Sequence, residues 1–179
     1  LGLRLPLVYN TNAYDSVDVL KELDGIIDIY LPDLKYADDK LAKKYSQAPD
    51  YVHQAHEAIK EMYRQVGDLA LDDAGLAQSG VIVRHLILPN ELADSRESLT
   101  WLAEEVSPTV TVSIMSQYFP AHRGHRVPLL SRMISASEYA NVLGILNELG
   151  LRNGWVQELD AADNYQPDFH AEGHPFAGC

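Results

Sequence analysis

Hydrophobic positions along this chain switch repeatedly between short continuous runs, which suit buried strands, and a three-to-four spacing, which suits helices. Leu5-Pro6-Leu7-Val8-Tyr9-Asn10 reads as a strand, and after Thr11-Asn12-Ala13-Tyr14 either Asp15 or Ser16 caps a helix bearing Val17, Leu20 and Leu23. Gly25 stops that helix, and Ile26 to Tyr36 forms a second strand. Asp38 to Ser46 is helical. After Pro49, Asp50 caps a longer helix whose inward stripe is Val52, Ala55, Ile59, Met62 and Val66, closed by Gly67. An insert at about 68–80, centred on Asp72-Asp73-Ala74-Gly75, fits a small hairpin. Val81 to Leu88 is the clearest strand, and its apolar character on both faces predicts cover on both sides.

Asp94 or Ser95 starts the next helix, with Leu99, Leu102 and Val106 on one face, and Val110 to Met115 is again a strand. A polar loop rich in Pro and His runs to Ile134. Ser135-Ala136-Ser137-Glu138 is a capping-box sequence for a helix carrying Tyr139, Val142, Leu146 and Leu149, with Gly150 just past its end. A last short strand spans Gly154 to Leu159. The expected organisation is thus a body over 1–159 and an irregular tail over 160–179.

Regular βα alternation predicts an α/β fold with parallel strands, either an arc of a partial TIM-type barrel or an open doubly wound sheet. Five strands cannot close as eight do, so both edges of an arc would stay open unless further strands precede it. The chain opens on Leu1 with a strand-like run close behind, which reads as a processed, trimmed or fragmentary chain.

Composition narrows the function classes. Asp and Glu number 26 against 14 Lys and Arg, a formal net charge of -12, whereas a phosphate-backbone binder needs clustered positive charge. Nucleic acid is therefore not an expected partner. No apolar run reaches the roughly 18 residues of a membrane span, so a cytoplasmic protein is expected. The single cysteine, Cys179, leaves neither a disulfide nor a thiolate-rich metal site within the chain.

Parallel strands bring their carboxyl ends to one rim, where such folds place ligand chemistry. Residues two apart in a strand share a face, so Asp33 and Lys35 point the same way at the end of the second strand if Pro32, which removes a ladder donor and weakens pairing there, does not break the pleat. This pair is either a ligand-binding acid and base or a salt bridge closing the rim. Arg84 in the middle of an apolar strand must be paired or face a polar cavity, because an unpaired buried guanidinium costs several kcal/mol. Asp33 and Glu158 are its candidate partners. Asn10, Asn12, Ser116, Gln117 and Tyr118 complete the polar groups of the rim. His85 reads as a hydrogen-bonded residue between sheet and helices, and His53 with His56 lacks a further metal ligand in view. His122 and His125 read as solvated loop residues.

Four segments in order carry a resemblance: Tyr30-Leu31-Pro32-Asp33-Leu34-Lys35-Tyr36, Arg84-His85-Leu86-Ile87-Leu88-Pro89, Met115-Ser116-Gln117-Tyr118-Phe119-Pro120, and Asn153-Gly154-Trp155-Val156-Gln157-Glu158-Leu159. Together they resemble the radical S-adenosylmethionine proteins related to pyruvate formate-lyase activating enzyme, over nearly the whole chain. That resemblance implies a partial barrel binding S-adenosylmethionine and a [4Fe-4S] cluster. It implies reductive cleavage of S-adenosylmethionine to a 5′-deoxyadenosyl radical, a flavodoxin or ferredoxin as electron donor, and a glycyl-radical type protein as substrate. By the same likeness Lys35 contacts the methionyl carboxylate, Asp33 holds a cation or orders the pocket, Arg84 lies beside the cofactor, and Asn10 with Asn12 lines the pocket. Tyr118 stands where the activating enzymes tend to have a histidine.

The family's three-cysteine Cys-x3-Cys-x2-Cys loop and its glycine-rich strand end have no counterpart here. Cluster irons need thiolate ligands, so the chain resembles the carboxyl-terminal half of such an enzyme and is expected to be silent alone. Two other readings fit the residues. One is a non-enzymatic half-barrel interaction module. The other is a TIM-type lyase using Lys35 as a Schiff-base amine.

Overall fold

A computed structural model describes residues 5–159. The chain is α/β. Strands β1 (Val8–Thr11), β2 (Ile29–Pro32), β4 (Ala77–Leu86), β5 (Thr111–Met115) and β6 (Gly154–Val156) are parallel and lie side by side in that order. Between β2 and β4, the two-residue strand β3 (Ala70–Leu71) pairs antiparallel with the start of β4. The turn between them is drawn tight by Asp72, whose Oδ1 accepts from the N–H groups of Ala74 and Leu76 at 2.9 Å each.

Helices α1 (Val17–Glu22), α2 (Asp39–Ser46), α3 (Tyr51–Val66), α4 (Ser95–Trp101) and α5 (Ala136–Leu149) connect the strands. They touch in a row: α1 and α2 against α3, α3 against the π-helical turn that continues α4, and α4 against α5. They form one layer, and the sheet turns Tyr30, Val81, Val83, Val112 and Ile114 into it, all 3% exposed or less. The opposite face carries Leu31, Ile82, Arg84, Leu86 and Ser113, which are only half-buried. The expectation that β4 is covered on both sides is corrected in this respect. One face is sealed by helices, and among the described residues the other keeps part of its surface open.

Local capping explains most helix starts. Asp38 accepts from the N–H groups of Lys40 and Leu41, Asp94 from Glu97, and Ser135 and Glu138 close a reciprocal capping box. Asp50 does not act as its sequence position suggests. It is left-handed with φ 58° and its side chain caps nothing; the N–H of Val52 donates instead to Asp39 Oδ1 at 2.8 Å, tying α3 to α2. Among the described residues, no helix is long and apolar enough to cross a membrane. The expected tail at 160–179 lies outside the described residues.

Candidate functional site

Register decides which polar side chains meet. The bridge between Asp33 and Arg84 extends the β2–β4 pairing one step past the end of β2, and Arg84 stands opposite Ser113 on β5. Main-chain bonds fix both residues: Asp33 N–H donates to Thr11 O and Leu34 N–H to Arg84 O, each at 2.9 Å. Asp33 and Arg84 therefore project from neighbouring strands onto the half-open face.

There the Asp33 carboxylate lies between two cations. Lys35 Nζ is 3.2 Å from Oδ2, and Arg84 Nη2 is in ionic contact with Oδ1. Arg84 Nη2 also donates to Asn10 Oδ1 on β1 at 2.8 Å. The contact between Arg84 and Asp33 is not directed as a hydrogen bond, so Asp33 Oδ1 and Arg84 Nε, both buried, keep unused hydrogen-bonding capacity. The Asp33 side chain is 14% exposed, that of Arg84 28% and that of Lys35 37%. The acid is thus mostly enclosed, with the amine at the solvent side.

Asn10, Asp33, Lys35 and Arg84 form one cluster drawn from three segments. Asn12 adjoins it differently. Its Oδ1 accepts from Tyr14 N–H at 3.0 Å, making a local turn, and its main-chain carbonyl faces Tyr51 Oη. Tyr118 is half-buried on the loop after β5 and donates to Leu130 O at 2.8 Å, with no bond to the cluster. Burial raises its phenol, and nearby Tyr36 adds to the effect. Ser116 and Gln117 are engaged with the segment after β6: Ser116 N–H donates to Gln157 Oε1 at 3.2 Å, and Gln157 Nε2 to Gln117 Oε1 at 3.2 Å.

Sequence reasoning missed Tyr51. Its ring is 3% exposed, stacks on Tyr14 and meets Tyr36 edge-on, and its hydroxyl sits under the turn that carries Asp33 and Lys35. Burial raises that phenol strongly, holding it in the protonated, donating form. A tyrosine at the first position of a helix, one residue after Asp50, was the only signal available.

The histidines separate by environment. His85 is fully buried, its Nδ1 bonded to Leu34 O at 2.8 Å and its Nε2 to Ser95 Oγ at 2.9 Å, and burial pushes it down to about 4. In the neutral ring Nδ1–H donates to the carbonyl and Nε2 accepts from the serine. His85 thus anchors Leu34, next to Asp33, from the helix side. His56 stacks on Trp101 with ring centroids 3.6 Å apart and is likewise lowered to about 4, chiefly by burial. Two clefts, of about 230 Å³ between the end of β4 and α4–α5 and about 340 Å³ beside β6, are lined by none of the four cluster residues.

No family model matches the chain. An uncharacterized protein of Methanocaldococcus jannaschii is similar to it, 25% identical over 151 residues covering 84% of this chain. The chain spans only 40% of the length of that relative.

Proposed function

We propose that this chain supplies the S-adenosylmethionine-binding rim of a partial TIM-type barrel in a radical S-adenosylmethionine enzyme of the pyruvate formate-lyase activating type. The observation carrying this reading is the Asp33 carboxylate set between Lys35 and Arg84 on the half-open face, at the carboxyl ends of adjacent parallel strands. Strand order also favours it. The order follows the sequence without reversal and the helices form one layer, as a barrel arc requires, whereas a doubly wound sheet reverses at a switch point.

The residues suit the methionyl end of S-adenosylmethionine. Lys35, the most exposed of the three charged groups, offers an ammonium to a carboxylate, and Asp33 offers an anion to an ammonium or to a cation beside it. Arg84 Nε retains a donor, and Asn10 holds the guanidinium in place. Bound there, S-adenosylmethionine would supply radical hydrogen-abstraction chemistry, with the reducing electron delivered from outside these residues. A [4Fe-4S] cluster does not fit the side chains present. Its irons need thiolates, and Cys179 is the only cysteine. In this reading those ligands belong to another part of a longer, cytoplasmic protein, together with the docking of an electron donor such as flavodoxin or ferredoxin and of a glycyl-radical type substrate protein.

A Schiff-base lyase is disfavoured because such an amine draws its reactivity from a dry apolar pocket, whereas the Lys35 side chain is 37% exposed and lies beside a carboxylate. Equilibrium dialysis with labelled S-adenosylmethionine tests the proposal. Saturable binding is expected, weakened about tenfold or more by Lys35→Met through loss of a charge-assisted contact. If the wild-type chain takes up no S-adenosylmethionine, or if Lys35→Met binds it equally well, the reading fails.

A further inference from the structure

Charge is distributed unevenly in this acidic protein. From 106 to 137 there is no Asp or Glu, although the whole chain carries 26. That stretch contains the loop after β5, and exposed on it are Arg123, Arg126, His122 and His125. Interleaved with them, Phe119 is 43% exposed, Leu129 44% and Met133 36%.

The loop is built rather than loose. Two single turns of 3-10 helix, Gly124–Arg126 and Pro128–Leu130, give it shape, and Tyr118 Oη closes it on Leu130 O. A brace holds its far end: Arg132 pairs with Glu138 at 2.7 Å and donates to Asn90 Oδ1 at 2.9 Å, while Asn90 Nδ2 donates to Leu129 O at 2.7 Å. Arg132 is thereby spent on structure, whereas Arg123 and Arg126 make no ion pair among the described residues.

We propose that this loop is the docking surface for a protein partner that presents an acidic patch with apolar residues inside it. Arginine, methionine and aromatic side chains are the groups enriched at protein interfaces, and their mixture here favours a protein over a phosphate backbone, which would leave Phe119, Leu129 and Met133 without a counterpart. Most of the remaining surface is acidic and disfavours such a partner, and the basic group on α2, Lys40, Lys43 and Lys44, has no exposed apolar residues like Phe119, Leu129 and Met133 interleaved as on this loop, so the loop sets the orientation. A preshaped loop also lowers the ordering cost of association. Because it follows β5, the loop brings that partner to the carboxyl-end rim that carries Asp33 and Arg84. The inference rests on charge and exposure and stands without S-adenosylmethionine chemistry.

Fluorescence anisotropy on the intact chain tests it with four probes: a labelled Glu/Asp peptide containing Phe and Leu, the same peptide with Gln/Asn for Glu/Asp, a single-stranded oligonucleotide, and phosphatidylserine vesicles. The acidic peptide is expected to bind, to weaken with added salt, and to lose about tenfold or more in affinity with Arg123→Glu/Arg126→Glu. Phe119→Ala/Leu129→Ala is expected to weaken it too. Charge reversal elsewhere, Lys43→Glu/Lys44→Glu on α2, is expected to leave it unchanged, and thermal melts check that each variant folds. The proposal is overturned if the acidic peptide does not bind, if it binds regardless of Arg123 and Arg126, if the neutral peptide binds as well, or if the oligonucleotide or vesicles are the probes that use these arginines.

Discussion

Tyr51 Oη donates to the main-chain carbonyl of Asp33 at 2.7 Å, and the N–H of Lys35 donates to that same hydroxyl at 3.0 Å. One buried phenol on α3 thereby fixes the backbone on both sides of Leu34, which sets the directions of the acid and the amine. Tyr51→Phe keeps the ring and deletes the hydroxyl. It leaves a buried carbonyl and N–H unpartnered, so a loss of about 1–3 kcal/mol in urea unfolding is expected. The proposed binding of S-adenosylmethionine should weaken in the same variant, through the placing of Asp33 and Lys35; unchanged stability would show that the two bonds contribute nothing.

Arg84→Met removes one of the two cations beside a carboxylate that is only 14% exposed. A net cost of roughly 1–3 kcal/mol is expected, less than for a fully buried pair because the guanidinium is partly solvated. Adding Asp33→Asn should recover part of that loss, since it removes the mostly enclosed carboxylate and leaves as the remaining charge only the Lys35 ammonium, the most exposed of the three groups. Arg84→Lys is expected to rescue only in part, because the ammonium ends a shorter side chain and cannot keep the place of Arg84 Nη2 between Asp33 and Asn10. A double variant less stable than the sum of its singles would contradict this account.

Acid should destabilise the fold in two windows. His85 and His56 are held at about 4 when folded against an ordinary 6.5, so between those values the unfolded chain binds more protons. Their contribution is complete above pH 6.5 and is lost as pH falls towards 4. For fully buried His85 the loss is on the order of 3 kcal/mol. Glu61 and Glu138 are held down to about 2 by the guanidiniums of Arg64 and Arg132 respectively, so their stabilisation is lost as pH falls from about 4.5 towards 2. Urea midpoints across pH check this, with His85→Gln expected to flatten the upper window only.

Gly154→Ala should cost more than a surface change does. Gly154 has φ 130°, and a Cβ there would overlap the carbonyl of Val112 on β5. The strand must move away or distort, and a loss above about 2 kcal/mol is expected from backbone strain and close approach. Gly144→Ala, on α5 with open space around it, is the control and should be neutral or mildly stabilising.

The linear order of residues determined the alternation of strands and helices, because periodicity and caps are local: the boundaries of α2 and the Ser135–Glu138 box are written within a few positions. It also brought Asp33 and Lys35 under suspicion as a pair, but the expected strand over Ile26 to Tyr36 is shorter: β2 ends at Pro32, and Lys35 reaches Asp33 from the segment held by Tyr51 rather than from a strand face. Local signals failed where partners are distant. Asp50 resembles a cap, yet Asp39 of the preceding helix takes that role. Only the tertiary structure decided that Arg84 chooses Asp33 over Glu158, that Asn10 steadies the guanidinium, and that Tyr51 underlies the cluster. Those meetings depend on strand register and helix docking, and these are set by long-range packing of the sheet against its helical layer rather than by any short run of residues.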